Sequence, residues 1–321
     1  MTSDQTLLSA AITVTLIQLL RFQTNRSPDI LVCSTGDAPL SKSISTPAPD
    51  PPRIISARQL PGLENEDRPV LILDLSSNPV FNRQHIPGAI WLDFKALVSS
   101  RPPVMGLLPD ISKLSKTLGH NGLTPEHRVV AYDDEQGLKA SRLLWTLDAI
   151  GHHHSALLDG GLQAWNQSGL QRLNVPRESA VKSRTHDYPA TVHYEVIADR
   201  AYIESRLDDP AVILLDARSR AEYQGTDQRA ARGGHIPGAV NIEWSRCLDP
   251  DSGLFLRPQE QLLQMLHTQG ITADKEVISY CHTHRRSAFI YVVLKQLGFT
   301  RVRGYPGSWS EWGNLHDTPI E

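Results

Sequence analysis

Hydrophobic positions in the second half of the chain follow two alternating patterns. Short and nearly continuous apolar runs, at 212–215 and 277–280, are typical of buried strands. Longer stretches with apolar residues at helical spacing predict helices over 262–267 and 287–296, and Gly298 stands where a helix C-terminal cap is expected. Strands that alternate with helices in this way predict an α/β fold with a largely parallel sheet.

Four short motifs occur in both halves of the chain and in the same order. The pairs are LILDLSS (71–77) with ILLDARS (213–219), HIPGAI (85–90) with HIPGAV (235–240), VVAYDD (129–134) with VISYCH (277–282), and GGLQAW (160–165) with GSWSEW (307–312). One such match could arise by chance, but four in register indicate a duplicated domain of roughly 120 residues.

The repeat defines the predicted domain organisation. We expect a first domain over 53–172, a polar linker with prolines over 173–191, and a second domain over 192–321. Residues 1–52 are expected to form a disordered or dispensable tail, rich in Ser, Pro and Thr towards its end. Its apolar run at 7–20 is too short to span a bilayer, and a cleaved or anchoring segment is the alternative interpretation.

Composition narrows the class of protein. A length of 321 residues with 40% hydrophobic content fits two domains with ordinary cores. The net charge of −3 favours neither nucleic acid nor a membrane surface as a partner. Three cysteines are too few for a disulfide framework, which favours a reducing compartment, and Cys33 and Cys247 are assigned no role. We expect a monomer in the cytoplasm.

The third cysteine has unusual neighbours. Cys281 ends a predicted strand and is followed by the residues HTHRR and then by a predicted helix. Cationic side chains and a helix N-terminus lower the pKa of a thiol, and loop N–H groups curled around it bind anions. With Arg285, Arg286 and possible cations at His282 and His284, this loop is predicted to hold sulfur as an anion.

The first half lacks this cysteine. In the repeat, Asp133 occupies the place of Cys281. A carboxylate cannot supply a thiolate, and the acidic run 133–137 would repel anions, so the first domain is predicted to be inactive. A metal cluster of Asp133, Asp134 and Glu135 is the alternative, but acidic runs are usually solvated loops and no metal site is predicted.

The duplication, the HIPGA motif in each half and a cysteine loop in the second half alone resemble the two-domain rhodanese sulfurtransferases over 54–321. The loop CHTHRR is similar to the CQTHHR-type basic loops of bacterial thiosulfate:cyanide sulfurtransferases, whereas mercaptopyruvate sulfurtransferases carry loops of the CGSGVT kind. The resemblance implies two tandem rhodanese-like domains, each a mostly parallel sheet flanked by helices, and a persulfide on Cys281. The expected substrate-binding residues are His282, Thr283, His284, Arg285, Arg286 and Arg218.

Comparison of the two halves separates candidate ligands from structural residues. Arg218 follows a strand at the carboxyl edge where open α/β sheets bind ligands, and its counterpart is Ser76, so it is a candidate for the substrate site. His85 and His235 recur in both halves, which favours a structural role. Trp309 is a candidate for lining the cleft.

The donor and acceptor follow from the same resemblance. Thiosulfate is the expected donor and cyanide or a small thiol the acceptor, with a sulfur-accepting protein left open and no cofactor required. Mercaptopyruvate is the alternative donor, although Glu222 stands where mercaptopyruvate enzymes carry an arginine for the substrate carboxylate. A non-enzymatic sulfur carrier or binding module is an alternative of another class. A phosphatase of related fold needs an arginine where this chain has Ser287.

Overall fold

The structure of the protein, a computed structural model, describes residues 52–65, 67–170 and 186–321. The tail predicted over 1–52, with Cys33 and the apolar run, lies outside these residues except for Pro52, and so does most of the linker predicted over 173–191. Within the described ranges, no helix combines the length and the apolar composition needed to cross a bilayer.

The first half is built on a parallel sheet. Its strands are β1 (Ile54–Ile55), β2 (Val70–Asp74), β3 (Ile90–Trp91), β4 (Ser99–Arg101), β5 (Val104–Leu107), β6 (Arg128–Tyr132) and β7 (Ser155–Leu158). Its helices are α1 (Asn78–Arg83), α2 (Ile111–His120), α3 (Leu138–Ala149) and α4 (Gly161–Gln167), with 3-10 helices at Ala57–Asn65 and Phe94–Leu97. The sheet order is β1-β7-β6-β2-β3, and β4 and β5 form a separate antiparallel hairpin.

The second half repeats this plan. Its strands are β8 (Val212–Asp216), β9 (Val240–Asn241), β10 (Leu248–Asp249), β11 (Phe255–Leu256), β12 (Glu276–Tyr280) and β13 (Val302–Gly304). Its helices are α5 (Arg200–Glu204), α6 (Arg220–Tyr223), α7 (Gln259–Thr268), α8 (Arg286–Gln296) and α9 (Ser308–Trp312), with 3-10 helices at Tyr194–Val196, Trp244–Cys247 and Pro250–Ser252. The parallel sheet has the order β13-β12-β8-β9. The α/β fold predicted from the apolar runs is confirmed.

The strand registers match between the halves. Parallel pairing of β2 with β6 sets Asp74 opposite Tyr132, and pairing of β8 with β12 sets Asp216 opposite Tyr280. Strands β6 and β12 are buried at every position, as expected for strands covered on both faces. Gly298 has φ +86° and follows α8, which confirms the predicted cap.

Helices α3 and α8 pack against each other where the two halves meet. Residues 287–294 of α8 are all buried, and so are residues 140–149 of α3. The helix is therefore buried on all sides over these residues, because α3 covers the face that would otherwise meet water. The result is one apolar core that runs through both halves and holds α8, and with it the Cys281 loop, against the first half.

The histidines of the two HIPGA motifs make equivalent contacts. The His85 ring stacks on Phe81 and its Nδ1 lies 2.9 Å from the Phe81 carbonyl oxygen. The His235 ring stacks on Tyr223 and its Nδ1 lies 2.9 Å from the Tyr223 carbonyl oxygen. Both rings tie the motif to the preceding helix, which supports their predicted structural role.

Candidate active site

Cys281 lies at the carboxyl end of β12, directly before the loop that leads into α8. Its side chain is buried, with 1% of its surface exposed. Its N–H donates to the Ser308 hydroxyl at 3.2 Å, and its carbonyl oxygen accepts the Trp309 N–H at 2.9 Å. The start of α9 therefore holds the backbone of the cysteine on both sides.

The loop after Cys281 turns sharply. His284 has φ +55°, in the left-handed region that non-glycine residues seldom adopt, and its counterpart Gln136 in the first half has φ +57°. The repeat extends to a second unusual position, because Ser308 has φ +50° where the first half has Gly161 with φ +49°. The two halves thus share one loop geometry, and the second half keeps it with side chains that strain the backbone.

The environment of Cys281 favours a thiolate. Burial raises the pKa of the thiol, but the charge of Arg286 and polar interactions with Ser287 and the Thr283 backbone outweigh it, so the pKa is lowered from its ordinary value. Cys247 differs, since burial raises the pKa of its thiol to about 12. Thiolates are the nucleophilic form of cysteine, so Cys281 is the activated thiol of the two described cysteines.

Arg286 is not a free cation. Its guanidinium binds both carboxylate oxygens of Glu222, at 2.5 and 2.8 Å. Glu222 is 2% exposed and also completes a capping box with Ser219 at the start of α6. Burial opposes ionisation of Glu222, but Arg286 outweighs burial and lowers the pKa of this carboxyl to about 2. Glu222 therefore serves to neutralise and orient Arg286.

Arg285 is also paired, across the boundary between the halves. Its guanidinium forms an ion pair with Glu135, and it lies 5.4 Å above the centre of the Phe94 ring. Neither loop arginine is unpaired, so their side-chain geometry does not support the free substrate-binding charge predicted for Arg285 and Arg286. Each guanidinium is instead bound to a carboxylate, which offsets its charge in this partly exposed loop.

The two loop histidines differ in exposure. His284 is fully buried, with Nδ1 2.7 Å from the Ser287 hydroxyl and its ring edge-on to Trp145. Burial and the charge of Arg142 lower the pKa of His284 well below its ordinary value, so the predicted cation is neutral and out of reach of a substrate. Burial also lowers the pKa of His282, which remains partly exposed together with Thr283.

Arg218 is 1% exposed and bound by other groups. Its guanidinium donates to Asp216 at 2.6–3.0 Å and to the Gly234 carbonyl oxygen at 2.8 Å, and it lies 4.3 Å above the Trp309 ring. The substrate-binding role predicted for Arg218 is not supported, because its charge is used inside the fold. Trp309 is buried as well and packs in the core rather than lining an open cleft.

In the first half, the corresponding loop holds an anion of its own. The Asp133 carboxylate accepts N–H groups from Glu135 at 2.7 Å, Gly137 at 2.8 Å and Ala140 at 2.8 Å. The N–H groups of this loop bind the carboxylate that replaces the cysteine, and repulsion of other anions by the acidic run 133–137 stays a prediction. The loop N–H groups that bind this carboxylate have counterparts in the Cys281 loop, so the two loops share an anion-binding geometry.

The neighbouring acidic residues also have protein partners. Asp134 accepts from Ser77 and pairs with Lys139, which also pairs with Glu135. In the part of the chain that the structure describes, no group of three or more His, Cys, Asp or Glu side chains is arranged to hold a metal ion. The acidic run therefore serves in ion pairs and in the loop's own hydrogen bonds.

Sequence reasoning missed the contribution of the β4–β5 hairpin. Gly106, with φ +80°, brings the hairpin backbone against the Thr283 carbonyl oxygen. The Ser310 hydroxyl accepts the Met105 N–H at 3.0 Å and donates to the Met105 carbonyl oxygen at 3.0 Å. The hairpin thus fixes the outer side of the Cys281 loop. A glycine in a short strand gives no sequence signal that it meets a loop this far along the chain.

The ion pair of Glu222 with Arg286 leads to a stability prediction. We expect Glu222→Gln to lower the free energy of unfolding by about 2 kcal/mol at neutral pH, because it leaves Arg286, whose side chain is 19% exposed, without its counter-charge. Since the pKa of Glu222 is lowered on folding, its contribution is present above the ordinary carboxyl pKa and is lost as the pH falls towards 2.

Urea denaturation of both forms at neutral pH and near pH 3 measures this difference. The matched control is Glu204→Gln, which breaks a partly exposed pair with Arg200 and should change stability by less than about 0.5 kcal/mol. An effect of Glu222→Gln no larger than that of the control would contradict the prediction.

Comparison with known proteins identifies the family. The rhodanese-like domain matches the chain twice, at residues 56–168 and 199–315, so the chain belongs to the rhodanese family and carries two rhodanese domains. It is similar to the thiosulfate sulfurtransferase of Pseudomonas aeruginosa, with 45% identity over 252 residues that cover 78% of this chain and 91% of the relative. The thiosulfate sulfurtransferase of Azotobacter vinelandii is 41% identical over 255 residues, covering 78% and 91%.

Two further relatives add a sulfur carrier and a solved structure. The sulfur carrier protein TtuD of Thermus thermophilus is 32% identical over 274 residues, covering 79% of this chain and 92% of the relative. The wild-type structure of EanB superposes with a TM-score of 0.72 at 23% identity and covers 84% of this chain and 69% of that chain. The EanB structure supports the fold alone.

Proposed function

We propose that the protein is a thiosulfate sulfurtransferase that carries sulfur as a persulfide on Cys281. The observation that carries this proposal is a buried cysteine with a lowered thiol pKa, between a strand end and a helix start. The relatives in Pseudomonas aeruginosa and Azotobacter vinelandii bear this name at more than 40% identity, which supports thiosulfate as the donor.

The proposed cycle is a double displacement. The Cys281 thiolate attacks the outer sulfur of thiosulfate, the sulfur–sulfur bond of the donor breaks, and sulfite leaves with the bonding electron pair. Cyanide then attacks the outer sulfur of the persulfide, which gives thiocyanate and returns the thiolate. Covalent catalysis divides one difficult transfer into two easier ones, and both steps balance without a metal, a cofactor or an oxidant.

The loop backbone has the main binding role in this scheme. Because Arg285 and Arg286 are ion-paired, we assign the incoming dianion to the N–H groups of 282–286 and to the partly exposed His282 and Thr283. The first rhodanese domain supports this assignment, because its loop N–H groups hold the Asp133 carboxylate in the same way. We take that domain to be inactive, since it has no thiol at this position.

The natural acceptor is a small thiol or a sulfur-accepting protein. The likeness to a sulfur carrier protein favours a second candidate function, in which the persulfide is handed to another protein and cyanide is only an assay substrate. Mercaptopyruvate is the less favoured donor, because Glu222 stands where a cation for its carboxylate would be needed. The few cysteines of the protein fit a reducing compartment, and we propose that it is a monomer in the cytoplasm.

Incubation with thiosulfate and no acceptor tests the function directly. We expect the intact protein to gain the mass of one sulfur atom, located by peptide mass spectrometry on the peptide that contains Cys281. Cyanide should remove that mass and release one equivalent of thiocyanate.

The matched comparison uses mercaptopyruvate as donor under the same conditions. A higher kcat/KM for mercaptopyruvate than for thiosulfate would contradict the proposed donor, and a protein that takes sulfur from neither would contradict the proposed function.

A further inference from the structure

The proposed cycle gives no role to one buried charge near the active site. Arg142 lies on α3 in the first domain and its side chain is fully buried. Within the described ranges its guanidinium makes one hydrogen bond, from an N–H to the His284 carbonyl oxygen at 3.5 Å, which is at the limit for such a bond. Nε and the second terminal nitrogen have no partner among the described residues. The guanidinium lies 4.7 Å from the centre of the Trp145 ring.

Two other buried arginines are arranged differently, since Arg53 donates to Asp148 at 2.7 Å and Arg218 to Asp216 at 2.6 Å. The partly exposed Arg286 donates to Glu222 at 2.5 Å. A buried cation without an anion costs several kcal/mol, so folded chains rarely keep one. Arg142 has no carboxylate partner among the residues that the structure describes, which points to an anion that is not a carboxylate.

Arg142 contacts the loop of Cys281 through the His284 carbonyl oxygen, and a thiolate at Cys281 favours the charged form of Arg142. Burial and the charge of Arg142 lower the pKa of His284. Burial lowers the pKa of Arg142 to about 9, so the guanidinium keeps its charge at neutral pH. Two charges in a buried, weakly polar setting attract each other more strongly than in water.

The other ionisable groups of the Cys281 loop are paired with carboxylates or have a lowered pKa. Arg286 is neutralised by Glu222, Arg285 by Glu135, and His284 is neutral. The pKa of the half-buried His282 is lowered by burial and by Arg286. Arg286 acts on the sulfur of Cys281 while it is bound to Glu222. Arg142 also interacts with Cys281, and among the described residues no carboxylate offsets its charge.

We propose that Arg142 is the counter-ion of the anionic sulfur on Cys281, supplied to the active site by the first rhodanese domain. It acts as a positioning residue, through the charge that it sets beside the sulfur and through the His284 carbonyl oxygen that it contacts. The same charge serves the thiolate and, where the proposed function holds, the persulfide anion. The first domain thus contributes to the chemistry although it has no thiol of its own.

The test measures how fast iodoacetamide alkylates Cys281 as a function of pH, with the modified peptide quantified by mass spectrometry. We expect Arg142→Met to move the midpoint of this profile upward by about one pH unit, which slows alkylation about tenfold below the midpoint. Arg142→Lys keeps the charge and should restore most of the rate. If Arg142→Met does not fold, Arg142→Gln serves in its place with the same expected shift.

The matched control is Arg53→Met, which removes another buried arginine, paired with Asp148 on the same helix α3. We expect it to leave the alkylation profile of Cys281 unchanged. An unchanged profile in Arg142→Met, or an equal shift in Arg53→Met, would overturn the proposed counter-ion role of Arg142. Since alkylation needs no sulfur donor, failure of the wild-type protein to take sulfur would overturn the proposed function alone.

Discussion

Replacement of Cys281 by serine is expected to reduce thiocyanate formation from thiosulfate and cyanide on the order of a thousandfold or more. A serine hydroxyl stays protonated at neutral pH and cannot form the sulfur–sulfur bond that carries the transferred atom. The variant should also fail to gain the mass of one sulfur atom. Steady-state thiocyanate production and intact-protein mass spectrometry measure the two effects.

The control for this variant is Cys247→Ala. Cys247 is buried, and burial raises the pKa of its thiol to about 12, so it has no reactive thiolate at neutral pH. We expect Cys247→Ala to keep the turnover and the sulfur adduct, with a modest loss of stability from the small cavity. Wild-type turnover in Cys281→Ser would exclude the persulfide mechanism.

Substitution of Gly106 by alanine is expected to lower kcat/KM for thiosulfate on the order of a hundredfold, although position 106 lies in the other domain. A Cβ at this position would lie 2.3 Å from the Thr283 carbonyl oxygen, which is backbone and cannot rotate away. The hairpin must then push the Cys281 loop, and small displacements of reacting groups cost rate. Kinetics with thiosulfate at fixed cyanide give the measurement.

Gly270→Ala separates this effect from backbone strain. Gly270 has φ +70°, close to the +80° of Gly106, but nothing lies within 4 Å of the Cβ that would be added. Both variants therefore carry the strain of a left-handed alanine, on the order of 1 kcal/mol, and Gly106→Ala alone carries the clash. Equal kinetics in the two variants would show that the hairpin does not hold the loop.

The fold could be predicted because its signals are local and occur twice. The apolar runs that became β8 and β12 are continuous, as buried parallel strands require, and each has a counterpart in the first half. The position of Cys281 between strand and helix followed from the same pattern. The all-round burial of α8 could not be predicted, because it depends on α3 in the other half.

The electrostatics of the site could be predicted only in part. The sequence shows which loop residues carry charge, but their partners lie far away along the chain: Glu135 is 150 positions from Arg285, and Glu222 is 64 positions from Arg286. Formal charge therefore overstated the free charge of the loop. Comparison of the repeats could have found Ser308, since it stands where the first half has Gly161, a residue suited to the left-handed conformation.

The carboxylate of Asp133 gives the first loop a permanent occupant. Three N–H groups of that loop donate to a carboxylate that belongs to the chain itself, whereas under the proposed mechanism the loop at Cys281 takes up and releases a sulfur atom. The two copies of the domain therefore use the same loop differently: the first binds its own carboxylate, and the second surrounds a cysteine. The loop of the first copy needs no ligand to satisfy these N–H groups, and the loop of the second copy stays available for the proposed sulfur atom.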